Sequence, residues 1–280
     1  MSKITSIALN SDLTAYAYGN SNGTVGAVNV LEDGQKTTLF PDAELHTQSV
    51  QRVCFSPDDR FIGSAGRDGI FCVLNLHQNI VWRFSSHQAP VNDIALSGVN
   101  TAITGSNDFT ARIWDILHGK QSHVLECPDA VNRVSMSPAG TTAGVAFGSK
   151  LILMDASDGR SLHEISVKNP LTQILHSLDG KKLAGGTDKG EVLVWDVSNA
   201  HDVGRIKRMH GFKHNSSITA LNFSRDEEFL AAGDRNGTVM SYNFADGSLR
   251  EIRLHGANPS KVLALGFNAV DNGRIYFEHS

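Results

Sequence analysis

Short apolar stretches recur along the chain, each closing on Ser or Asn: Ser6-Ile7-Ala8-Leu9-Asn10, Arg52-Val53-Cys54-Phe55-Ser56, Asp93-Ile94-Ala95-Leu96-Ser97, Arg133-Val134-Ser135-Met136-Ser137, Gln173-Ile174-Leu175-His176-Ser177, Ala220-Leu221-Asn222-Phe223-Ser224 and Ala264-Leu265-Gly266-Phe267-Asn268. Their first apolar positions, 7, 53, 94, 134, 174, 221 and 265, are separated by 46, 41, 40, 40, 47 and 44 residues. A second series runs in step with the first: Val28-Asn29, Leu74-Asn75, Trp114-Asp115, Met154-Asp155, Trp195-Asp196 and Tyr242-Asn243 each follow 20 or 21 residues behind. Self-similarity at such a period marks a repeat architecture.

Between the two series lie a small-residue stretch and a tight turn, among them Asn20-Ser21-Asn22-Gly23, Gly66-Arg67-Asp68-Gly69, Ser106-Asn107-Asp108-Phe109, Thr187-Asp188-Lys189-Gly190 and Asp234-Arg235-Asn236-Gly237. Asn-Gly and Asp-Gly supply the positive φ that hairpin turns need. Each unit then reads as four short strands, a to d. In the second unit these are Gln51–Phe55, Phe61–Ala65, Ile70–Leu74 and Asn79–Phe84, with the turn Ser56-Pro57-Asp58-Asp59 after strand a. No stretch carries a sustained helical period. One such sheet cannot bury both its faces, whereas sheets stacked around an axis cover one another.

The segment Thr104-Gly105-Ser106-Asn107-Asp108-Phe109-Thr110-Ala111-Arg112-Ile113-Trp114-Asp115, the second Trp-Asp at 195–196 and the recurring Ser-Pro phrase after strand a resemble the WD-repeat (WD40) β-propeller family over essentially the whole chain. The resemblance implies an all-β, WD40-type propeller forming a single domain over 1–280. Seven blades are expected, six full units plus an incomplete last one, with repeats at about 4–40, 50–85, 91–126, 131–166, 171–209, 218–254 and 262–280. It also implies a side-chain network in each blade: a His before strand a, a hydroxyl in strand b, an Asp in the b–c turn and a Trp in strand c. Only the third unit carries all four, as His87, Thr104, Asp108 and Trp114. The second has His46, Ser64 and Asp68 with Leu74 in place of Trp. The fifth has Trp195 with Gly185 and Lys189 at the hydroxyl and Asp positions. The sixth has His214 with Tyr242 in place of Trp. A His–Asp pair beside a hydroxyl is also the arrangement of a hydrolytic triad, but in a blade these groups satisfy one another.

The last unit offers strand a, Val262–Phe267, and one further strand, Arg274–Glu278. Three explanations stay open: a fragment of a longer chain, a ring closed by a narrow last blade, or a ring completed by strands from a partner. An unpaired edge invites strand addition.

Of 280 residues, 40% are hydrophobic and 19% charged, which suits a large core and argues against disorder. A net charge of −4 gives no global basic field for nucleic acid. Three Cys (Cys54, Cys72 and Cys127) are too few and scattered for a disulfide framework or a zinc cage, and Cys54 and Cys72 read as buried small hydrophobes. With no apolar run long enough to span a membrane, the expectation is a protein of the cytoplasm or nucleus.

No phosphate-cradling loop, metalloprotease helix or nucleophile elbow is found, and His210 and His214 share a loop, so no catalytic, metal or cofactor site is assigned. Two longer junctions stand out. One is the acidic loop Pro41-Asp42-Ala43-Glu44-Leu45-His46. The other is the stretch from Asp202 to His214 with Arg205, Lys207, Arg208 and Lys213, which reads as an anion-docking loop or, preferably, as a cation-guarded edge strand. Trp82 alternates with Ile80 and Phe84 and is assigned to the core. For protein binding the register points to one rim: Arg67, Asn107, Lys189 and Arg235 in b–c turns, with Arg52 and Arg133 ahead of strand a. Arg forms bidentate bonds to carboxylate or phosphate and is enriched at interfaces. The expectation is a non-catalytic intracellular scaffold that presents its rim to other proteins or acidic peptides in a multiprotein complex. The alternative is a structural subunit whose last blade is filled by a partner's strands or by a longer parent chain.

Overall fold

The computed structural model describes residues 2–31, 34–85, 87–202, 206–253, 261–267 and 275–279. Arg205, Asn268 and Arg274, used in the expectations above, lie outside them. Blade one is β1 (Ile4–Leu9), β2 (Ala15–Asn20), β3 (Thr24–Val30) and β4 (Lys36–Glu44). Blade two is β5 (Val50–Phe55), β6 (Phe61–Gly66), β7 (Phe71–Asn75) and β8 (Ile80–Phe84). Blade three is β9 (Val91–Leu96), β10 (Thr101–Ser106), β11 (Thr110–Asp115) and β12 (Lys120–Glu126). Blade four is β13 (Arg133–Met136), β14 (Thr142–Phe147), β15 (Lys150–Asp155) and β16 (Ser161–Ser166). Blade five is β17 (Leu171–His176), β18 (Lys182–Thr187), β19 (Glu191–Asp196) and β20 (Lys207–Lys213). Blade six is β21 (Ile218–Phe223), β22 (Phe229–Asp234), β23 (Thr238–Asn243) and β24 (Leu249–Arg253). A last pair is β25 (Val262–Phe267) and β26 (Ile275–His279).

Each blade is an antiparallel meander in chain order. Neighbouring first strands touch in the sequence β1, β5, β9, β13, β17, β21, β25 and back to β1, so they line a central channel. The described residues therefore form a propeller of six blades, and the expectation of seven is corrected. After β24 they supply only the β25–β26 pair, a two-stranded sheet that sits between blade six and blade one.

Burial follows from this geometry. The second strands are sandwiched between neighbouring blades, and β6 and β14 are buried at every position. The fourth strands form the outer edge, and β12 is exposed or half-exposed throughout. The small residues of the second strands let the next blade approach. A Cβ on Gly105 would lie 2.5 Å from Val131 Cγ1, and one on Gly186 would lie 2.4 Å from Ile218 Cγ2. Val50, Val91, Val131 and Ile218, at equivalent register, are all 0% exposed. Burying each contributes about 1.5–3 kcal/mol.

Polar bonds repeat with the same period. The Thr5 hydroxyl donates to Gly19 O at 3.0 Å and to Val50 O at 2.7 Å, Thr172 to Gly186 O and Ile218 O, and Thr219 to Gly233 O and Val262 O. Each ties a blade to the next. The Ser that closes strand a is buried, and its Oγ accepts the amide that opens strand b: Phe61 N on Ser56, Thr101 N on Ser97, Thr142 N on Ser137, Lys182 N on Ser177 and Phe229 N on Ser224. That bond explains why the hydroxyl recurs in the sequence.

Two expected loops are strands. Residues 41–44 belong to β4, whose register slips on β3 next to Ala27 and so accommodates Pro41 at an outer edge. Residues 207–213 are β20, the outer strand of blade five, which favours the guarded-edge reading. Trp82 packs half-buried against Phe61, ring centroids 6.1 Å apart.

Candidate functional site

Inside blade three the four network residues meet. Trp114 Nε1 donates to Thr104 Oγ1 at 2.9 Å, Thr104 Oγ1 lies 2.8 Å from His87 Nε2, and His87 Nδ1 lies 2.8 Å from Asp108 Oδ2. Because Thr104 Oγ1 accepts from Trp114, its proton points to His87 Nε2, and Nδ1–H then donates to Asp108. A neutral His87 satisfies the whole chain, in keeping with a pKa lowered by burial. Burial would raise Asp108, but bonds from Thr110, His87 and the Gln88 amide outweigh it and bring the carboxyl down to about 2. Blade two repeats the relay, with His46 Nε2 2.8 Å from Ser64 Oγ and Nδ1 3.2 Å from Asp68. Thr104 and Ser64 are 0% exposed. A hydroxyl sealed inside a blade reaches no substrate, so the arrangement serves the fold.

The other blades depart in particular ways. In blade six His214 Nδ1 lies 3.4 Å from Asp234 Oδ2. Asp234 stands two positions before the expected turn Asp, which is Asn236 here, so the motif did not reveal it. At blade five, Trp195 covers Gly185, where a Cβ would fall 2.9 Å from the indole. The ring occupies the space of the missing hydroxyl.

The Asn92 carboxamide, at the start of β9, donates to Asn107 Oδ1 in the b–c turn at 2.6 Å and to Val131 O at 2.9 Å. Strand-a starts and b–c turns therefore share one face, here called upper. Arg67, Asn107, Lys189 and Arg235 are exposed on its turns. Arg52 and Arg133 are not with them. Arg52 is the third residue of β5 and Arg133 the first of β13, and both sit half-buried at the mouth of the channel, where Arg52 Nε lies 3.3 Å from Asp93 Oδ1. A hollow of about 340 Å³ opens there, lined by Thr5, Val50, Gln51, Asn92, Asn132, Arg133 and Lys261. The expected single Arg rim is thus two tiers, an outer exposed one and an inner one where Arg52 and Arg133 are half-buried; buried Asp93 and exposed Lys261 join the inner tier.

Phe109 was read only as a turn residue. It is 52% exposed and holds φ 66°, at the turn position where Gly23, Gly69, Gly190 and Gly237 hold φ 79–90°. A bulky side chain in the left-handed region is strained, so here an exposed aromatic occupies a glycine's place.

Among the described residues, no three His, Cys, Asp or Glu side chains gather as a metal site, and no helix is long and apolar enough to cross a membrane. Burial holds the Cys54 and Cys72 thiols at about 12 and Cys127 at about 11, so none is a thiolate at neutral pH.

Blade geometry, inter-blade packing and the His–Asp relays define a WD-repeat propeller. Residues 40–75, 78–115 and 206–243 match the family model of the WD domain, G-beta repeat, so these three stretches carry WD repeats. It is similar, at 23% identity over 273 residues, to apoptotic protease-activating factor 1 of Homo sapiens, covering 93% of this chain and 21% of that protein. It is 27% identical over 210 residues to eukaryotic translation initiation factor 3 subunit I of Pyricularia oryzae, covering 69% of this chain and 61% of the relative. Similarity to target of rapamycin complex subunit LST8 of Saccharomyces cerevisiae is 23% over 219 residues, 75% of this chain and 72% of the relative. The chain spans about a fifth of the first relative's length and under two thirds of the second's.

Proposed function

We propose that this chain is a non-catalytic scaffold that gathers partner proteins on the upper face of its propeller, within a multiprotein complex of the cytoplasm or nucleus. Fold alone does not assign function. Support comes from relatives whose names make them subunits of a translation initiation factor and of a target of rapamycin complex, and above all from Phe109. A solvent-exposed aromatic kept where glycine fits is a cost to the fold that a binding anchor explains, since aromatic side chains dominate interface hot spots. Arg67, Asn107, Lys189 and Arg235, on the b–c turns of the same face, add polar contacts, and Arg52 and Arg133 lie further in.

Phe109→Gly separates stability from binding. Removing left-handed strain of about 1–3 kcal/mol offsets glycine's added chain freedom, so the melting temperature stays at or above wild type. Quantitative affinity purification of the tagged protein should lose its partners with the variant. Unaltered partners would refute the anchor.

A second reading has its own observation. Among the described residues β26 pairs only with β25, and its other edge is open to strands from a partner or from a longer parent chain. Size exclusion with light scattering distinguishes the two: a monomer whose β26 amides are protected from exchange argues against donated strands.

A further inference from the structure

The inner tier holds more positive charge than the protein around it neutralises. Asp93 is 2% exposed, and its oxygens are already engaged: Oδ2 accepts the Val134 amide at 3.0 Å, while Oδ1 accepts the Ile94 amide at 3.1 Å and faces Arg52. Arg133 donates Nη1 to Asn132 O at 2.6 Å, but its Nε is sealed from solvent and has no acceptor among the described residues. Arg52 Nε is at ion-pair distance from Asp93 yet outside hydrogen-bond geometry. Lys261 stands at the same mouth, and its pKa is lowered by burial and by the field of Arg133, Arg235, Arg52 and Lys3. Among the described residues Arg52 and Arg133 thus share one carboxylate, Asp93, and Lys261 adds a third cation at the same mouth. A buried guanidinium with an unused N–H is costly unless something accepts from it.

We propose that the upper mouth of the channel is a subsite for the side-chain carboxylate of an acidic segment in a protein partner, held by Arg133 and Lys261, with the charge of Arg52 close by. This deepens the docking-face reading and rests on it. A carboxylate is a planar acceptor that matches the guanidinium edge. The hollow is far larger than one anion. Beside the cations its polar wall is made of neutral groups, Thr5, Gln51, Asn92 and Asn132, which suit a polypeptide backbone better than a multiply charged small anion.

The test is fluorescence anisotropy of a labelled octaglutamate peptide against the full chain, with a Gly-Ser peptide of equal length as control and inorganic phosphate as competitor. Saturable binding is expected, weakened about tenfold by Arg133→Met and by Lys261→Met, the latter at an exposed residue that leaves the fold intact. Asp93→Asn removes the competing charge and should tighten binding. The anchor is read by partner capture with Phe109→Gly and the subsite by octaglutamate affinity with Lys261→Met, so failure of the one and failure of the other are separate results. Equal affinity across the Lys261 and Asp93 variants overturns the proposal. So does binding of phosphate without octaglutamate, which would make the site one for small anions.

Discussion

At the scale of single residues, the relay in blade three shows how polar groups survive in an apolar interior. Each donor finds one acceptor, and the Trp114 ring also packs on Phe71 and Phe84, with centroids 4.8 and 5.7 Å away. Trp114→Phe deletes the Nε1 donor and leaves a void where the larger indole stood, so chemical denaturation should show a loss of about 1–3 kcal/mol. Ser64→Ala leaves His46 Nε2 buried without a partner, and the same assay should register about 1–3 kcal/mol. These residues were legible because motif spacing places them. Asp234 was not, because a carboxylate shifted by two positions reaches the same histidine from strand b. Phe109 was not, because turn composition reports which residues bend and is silent on which pay for bending. The inner position of Arg52 and Arg133 was hidden because strand register places a residue along the chain but does not say how far it stands from the propeller axis.

Among elements, the contact between one blade's second strand and the next blade's first strand carries the ring. Gly186→Ala forces a methyl against Ile218 and should destabilise by about 1–3 kcal/mol. The double variant Gly186→Ala with Ile218→Ala makes room for it. A double-mutant cycle should therefore give a coupling of the opposite sign, with the pair less destabilised than the sum of the single changes. Strand identity was readable from alternation and turn chemistry, and the second unit's four strands fall close to their expected bounds. The stretch 41–44 misled because an outer strand need bury little, whereas the cations of 207–213 pointed to the edge strand that β20 is, exposed or half-exposed at every residue.

For the whole molecule, burial lowers the pKa of His46, His87 and His214, and holds His176, tucked beside Ser135 with Nδ1 2.7 Å from its Oγ, at about 3. The unfolded chain takes up protons on these groups more readily than the native one. Their contribution is intact above pH 6.5 and is lost as pH falls from there toward the native values. Denaturant melts between neutral and acid pH should show that decline, and His176→Gln should make it shallower. The period announced a propeller, but the number of blades rests on how many strands follow the last repeat, and periodicity does not count those.

Closure of the ring falls to its narrowest member. Ile4 is 40% exposed, although its counterparts Val50, Val91 and Val131 are sealed, because β1 leans on a two-stranded pair instead of a full sheet. If the ring is a bracelet, β25 and β26 are its clasp. Hydrogen exchange should release β1 amides well before those of β9. Lys261 stands at the head of the clasp and Arg52 on blade two, just past β1, so an acid bound between them would act as a pin, slowing that release.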